Sequence, residues 1–142
     1  MKTLPTLALL LALIASAPAF AAEDCFDAST QTAMNDCAGT ELARADAELN
    51  RVYREVTGSL KGNALALSRL KAAQRLWIQL RDADLAARYP VAAASDPRVE
   101  YGSMYPLLYI QARTELTRAR LTCASSSWSG ASTTSESPPF PY

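Results

Sequence analysis

The chain has 142 residues, 14 basic and 14 acidic side chains, three cysteines and no histidine. That length suits one domain with appendages. Neutrality leaves no cationic surface for a nucleic-acid backbone, and the missing histidine excludes Ser-His-Asp and Cys-His catalysis and His-containing zinc sites. With 49% apolar and 20% charged residues, most of the chain can bury a core.

The N-terminus reads as an address. Lys2 precedes the apolar run Leu7 to Ala15, and Ala19-Phe20-Ala21 offers the small residues of a signal-peptidase site. The run is shorter than the ~20 residues of a membrane span, and Glu23-Asp24 before Cys25 is unlike a lipidation site. The expected organisation is a signal peptide over 1–21, a helical domain over 22–123 and a disordered tail over 124–142. The expected location is the bacterial periplasm or beyond, with no membrane span after cleavage. Cleavage removes Lys2 and leaves 13 basic residues, 11 of them Arg, against 14 acidic. Arginine forms fixed, bidentate pairs with carboxylates, so part of this bias reads as ion pairing between helices.

From Thr30 to about Leu60, Met34, Ala38, Leu42, Ala45, Leu49, Val52 and Val56 recur at steps of three and four, one stripe on a helix. Ser29 or Thr30 is its N-cap, and Gly58 or Gly62 marks its end. A second helix runs from the N-cap Asn63 to Tyr89, before Pro90. Its stripe is Leu67, Leu70, Ala73, Trp77 and Leu80, widened by Leu76 and Ala83. The third starts at Ser103, tolerates Pro106 in its first turn and continues to about Thr122. Tyr105, Leu108, Tyr109, Ala112, Leu116 and Ala119 line its expected buried face. No segment alternates with period two, so the fold class is all-α: an antiparallel three-helix bundle with a short disulfide-closed N-terminal segment. The Ser/Thr/Pro-rich tail from Ala124 lacks the aliphatic residues to offset its ordering entropy.

An exported chain oxidises its thiols, and three cysteines give one bridge and one left over. Cys37 near the start of helix one and Cys123 at the end of a parallel helix three would lie on the order of 30 Å apart, against the ~7 Å limit for Cα atoms of a disulfide. Cys25 can fold back onto Cys37. The spacing predicts Cys25–Cys37, with Cys123 free or joining two chains in a dimer. Three isolated cysteines make no metal site, and no cofactor is implied.

Gln74, Trp77, Arg81 and Asp84 share one face of helix two, as Asp46, Asn50 and Tyr53 do on helix one. Folding the hairpin about residue 62 sets Asp46 near Arg81 and Asn50 opposite Gln74, with Trp77 alongside. An acid/base reading would pair Asp46 with Asp84. A register-fixing polar network (Asp46, Asn50, Gln74, Trp77, Arg81) explains the same residues without chemistry.

At these residues the chain resembles a known family. Cys25, Thr30 to Ala38 with Cys37, and Ala45 to Tyr53 are similar to the opening of the LprI-type lysozyme-inhibitor N-terminal domain family. Ala73-Gln74-Arg75-x-Trp77-Ile78-x-x-Arg81-Asp82-Ala83-Asp84 resembles its second block; Gly102-Ser103-x-x-Pro106 and Thr114-Glu115-Leu116-Thr117-x-x-Arg120 its third. Such proteins commonly carry cysteines where this chain has Leu85 and Ala112. The resemblance therefore implies one bridge replaced by packing, and it supports Cys25–Cys37. It implies an exported, non-enzymatic binding protein whose partner is a protein, lysozyme being the named one. The alternative is an envelope interaction module with another partner. The candidate partner-binding loop is the connector before helix three, with Asp96, Arg98, Glu100, Tyr101 and Ser103 as its contact residues and Tyr101 as an aromatic anchor.

Overall fold

The computed structural model describes residues 24–131, with side chains described to residue 126. Residues 1–23, which include the expected signal peptide, and residues 132–142 lie outside this range. A 3-10 turn, Cys25–Asp27, precedes α1 (Gln31–Ser59), α2 (Ala64–Arg88), the short α3 (Pro97–Tyr101) and α4 (Tyr105–Ala131). The described residues are helical, with no strand among them.

The helix starts follow from local chemistry. The Thr30 hydroxyl accepts from the Ala33 N–H at 3.1 Å, and the Asn63 side chain accepts from Ala66 N–H at 3.0 Å, satisfying donors that a helix leaves unpaired at its N-terminus. Asn63 is the cap the pattern singles out, and Thr30 is one of the two residues it allows at the start of α1. Asp24 does the same for the 3-10 turn, accepting from Phe26 N–H. Cys25 and Cys37 are joined, with Cα atoms 5.6 Å apart, and the turn is tied back onto α1.

α1 and α4 run parallel and make most of the contact between helices. Small side chains let them come close: Ala38 and Ala45 on α1, Thr114 and Thr117 on α4, all buried. Around Leu107, which is fully buried, Cys25 and Ala38 form a core cluster flanked by Met34, Cys37, Met104 and Ile110. α2 packs on α4 more sparingly and touches α1 only slightly. Leu85, near the α2 C-terminus, is buried, and so is Ala112 on α4. These are the two positions where the family resemblance leads one to look for cysteines.

α4 is thus the central helix, and this reassigns several side chains. Its expected stripe covers the half that turns to α2, but Leu107, Thr114 and Thr117 form a second buried half against α1, and Ala119 is exposed. Two threonines in that half hide it from a hydrophobic count. On α2, Leu67, Leu70 and Trp77 are half-buried as expected. Ala73, Leu76 and Leu80 are exposed, because α2 has apolar residues on two sides and only one of them meets the rest of the chain.

α4 also runs beyond its expected end near Thr122, to Ala131. Ser125 Oγ donates to Leu121 O and Ser126 Oγ to Cys123 O, which satisfies these hydroxyls against the helix backbone. No proline interrupts the stretch before Ala131.

Candidate protein-binding surface

The connector between α2 and α4 is held by aromatic packing and main-chain hydrogen bonds. Tyr89, at the α2 C-cap, lies edge-on to Tyr101 and Tyr105 at centroid distances of 5.6 and 5.8 Å, and Tyr101 stacks on Tyr105 at 5.7 Å. Such pairs contribute about 0.5–1.5 kcal/mol each beyond their buried area. Tyr109 completes the group, 5.6 Å from Tyr105. The Tyr101 hydroxyl donates to Pro90 O at 2.9 Å, and that of Tyr89 to Leu108 O at 3.2 Å. Burial, with the neighbouring phenols of Tyr109, Tyr101 and Tyr89, pushes the Tyr105 hydroxyl above its ordinary pKa.

Within the connector, Asp96 caps α3 by accepting from Arg98 N–H at 2.9 Å, and Pro97 follows at a position where its missing N–H costs nothing. Gly102 ends α3 at φ 71°, ψ −170°, backbone that only glycine adopts without strain. The five residues expected to contact a partner therefore divide. Asp96 is exposed but engaged as the α3 cap, and Tyr101 packs inward against Tyr89 and Tyr105, so Tyr101 is not a protruding anchor. Arg98, Glu100 and Ser103 are exposed. Between Arg98 and Glu100, Val99 is 83% exposed, an apolar side chain without the charge or aromatic ring that marks a contact residue in the sequence.

The expected polar network divides as well. Arg81 turns to its neighbour Asp82, giving two hydrogen bonds at 2.9 and 2.7 Å, and its guanidinium lies 5.2 Å from the Trp77 ring centre. Arg120 approaches the same ring at 5.8 Å. Asp46 is not the partner of Arg81, and no bond joins Asn50 to Gln74 among the described residues. The expected pairs presume α1 and α2 in contact along their length, whereas α1 packs against α4. Asn50 and Gln74 do share a shallow recess with Tyr53 and Lys71.

The buried charge is Glu41, on α1 between Ala38 and Ala45. Its side chain is 9% exposed and accepts hydrogen bonds from Arg44, at 2.6 Å, and from Arg118 on α4. Burial works to raise its pKa. The hydrogen bonds and positive charges of Arg118 and Arg44 outweigh that and hold the carboxyl below the ordinary value. A second inter-helix pair, Arg88 with Glu115 at 2.9 Å, ties α2 to α4, and Arg51 bridges Glu48 and Glu55 along α1. The excess of arginine is thus used partly between helices and partly along them. The signal for Glu41 was present in the sequence: an acid three residues after one buried alanine and four before the next.

Among the described residues, no helix is long and apolar enough to cross a membrane, and no group of three or more Cys, Asp or Glu could hold a metal ion. Cys123 is a free, exposed thiol.

The described residues thus form an all-α domain with one N-terminal disulfide and a connector held at both ends. The model of the family described as lysozyme inhibitor LprI matches residues 21–122, and the chain belongs to that family. It is also similar to a protein of Rhizobium meliloti (strain 1021) that carries the name "Uncharacterized protein R02472". The two are 38% identical over 128 residues, covering 82% of this chain and 87% of that protein. No solved structure matches the chain.

Proposed function

We propose that this is an exported, non-enzymatic binding protein that inhibits lysozyme by direct contact, and that the α3 connector is the contacting element. Membership of a family described as lysozyme inhibitors is the observation that carries this reading. The connector supports the choice of element. Lysozyme works through a carboxylate pair at an open cleft, and an inhibitor needs a narrow, ordered projection to fill it. Arg98, Val99 and Glu100 stand out from a turn whose ends are fixed by Asp96, Tyr101 and Gly102. Arg98 supplies a bidentate donor for a carboxylate, and Val99 an apolar tip that loses water on docking.

The test is lysis of cell walls by lysozyme in the presence of excess protein, with affinity measured by calorimetry. Slowed lysis, relieved in the Arg98→Ala and Val99→Ala variants, is the expected result. Unslowed lysis with no heat of binding overturns the lysozyme reading. Inhibition that survives both substitutions overturns the connector as its site. Detection of the chain in a periplasmic or culture fraction, beginning at Ala22, tests export.

A further inference from the structure

The outward side of α2 is apolar, and nothing in the described chain covers it. Leu65, Leu76 and Leu80 are 69%, 65% and 60% exposed. Positions 65, 69, 72, 76, 80, 83 and 87 follow one another at steps of 4, 3, 4, 4, 3 and 4, so they form one stripe down the helix. These steps read the same in both directions from Leu76. An antiparallel pair of identical helices needs that property, because a two-fold axis at the centre places each position opposite its mirror position.

We infer that the outward face of α2 binds the same face of a second copy of this chain, antiparallel, with Leu76 on the two-fold axis. Size and charge both fit this register. Leu65 lies opposite Ala87, and Leu80 opposite Ala72, a large side chain against a small one in each case. Leu76 meets its own copy. Arg69 is the one charged residue in the stripe and comes opposite Ala83, beside Asp84. Both Arg69 and Asp84 are exposed, and neither has an ion pair among the described residues. The symmetry forms two Arg69–Asp84 pairs, and the parallel arrangement of the same helices forms none in this register. The stripe extends about 33 Å at ~1.5 Å per residue. One helix pair of that length lies at the small end of specific interfaces, so the dimer dissociates on the order of micromolar concentration. Cys123 is on α4 and takes no part.

The test is sedimentation velocity of the chain from Ala22 to Tyr142 across a concentration range from below to well above micromolar. A reversible monomer–dimer equilibrium, retained in the Cys123→Ser variant and in reductant, is expected. Leu76→Glu places two carboxylates on the axis and raises the dissociation constant at least tenfold. At concentrations where both proteins are monomeric, its helix content and melting temperature stay those of the parent, because Leu76 is largely exposed. Arg69→Asp and Asp84→Arg each weaken the dimer several-fold, and the two substitutions together restore it. A monomer at every concentration overturns the inference, whether or not the protein then binds lipid vesicles. So does a dimer indifferent to Leu76→Glu, or one lost in the Cys123→Ser variant.

Discussion

Arg118→Ala is the most informative single substitution at the α1–α4 interface. It removes the inter-helix donor to Glu41 and leaves a carboxylate that is 9% exposed with Arg44 alone. A hydrogen bond to a charged group contributes about 1.5–3 kcal/mol. Arg118 is itself 38% exposed, so water already screens part of the attraction, and the lower half of that range applies. Loss of the arginine stem from the interface adds to it. The expected destabilisation is about 2 kcal/mol. Glu41→Gln keeps the volume and one acceptor, and it leaves two arginines that can turn to solvent, so it costs roughly 1 kcal/mol. The two variants also differ in acid. The folded state holds the Glu41 carboxyl below its ordinary value, so its contribution is complete above that value and disappears as pH falls through the lowered one. Urea unfolding followed by circular dichroism at pH 7 and pH 3 measures both effects. The parent loses more stability across that interval than Glu41→Gln, while Glu48, also lowered chiefly by its hydrogen bond from Arg51, contributes equally to both proteins. An Arg118→Ala protein within 0.5 kcal/mol of the parent, or identical acid slopes for parent and Glu41→Gln, would refute this account of the pair.

Reduction of Cys25–Cys37, whose partners are 12 residues apart, lowers stability by about 3 kcal/mol on the chain-entropy account, read as the difference in urea midpoint with and without reductant. Leu107→Ala, at a site with no exposure, costs about 3 kcal/mol in the same assay, because the core around Cys25 and Ala38 cannot collapse onto the space without moving α1. Gly102→Ala forces a Cβ into a glycine-only conformation and costs about 1–3 kcal/mol locally. It loosens Tyr101 from Pro90, which near-ultraviolet dichroism of the tyrosine group reports.

What the sequence made legible was local chemistry. Thr30 and Asn63 are caps because their short side chains reach the next turn's N–H, and that needs no knowledge of the fold. Cys25 and Cys37 find each other because a short chain segment confines them. Tertiary choices were harder. Helix α2 carries leucines on two sides, and periodicity cannot say which side meets a neighbour, so it places Leu76 and Leu80 in a core they do not enter. Thr114 and Thr117 are buried with hydroxyls that read as polar, which concealed half the α4 interface. Hairpin register pairs Asp46 with Arg81, but that register matters only where α1 and α2 touch, and the contact that organises the domain runs between α1 and α4. In the connector, the type of residue pointed to recognition, while the direction of each side chain did not follow from type: Tyr101 turned inward and Val99 outward.

The disulfide, the Leu107 cluster and the four tyrosines all lie where α1 and α4 begin and α2 ends. At the other end, Leu49 and Val56 border a cavity of about 110 Å³ shared with Leu70 and Cys123, and residues 61–65 of the hairpin between α1 and α2 are exposed. A helix assembly clasped at one end behaves as tweezers do. Its arms separate from the tips while the base stays shut, so slow amide exchange belongs to the amides around Ala38 and Leu107, and rapid exchange to Thr57 through Leu67.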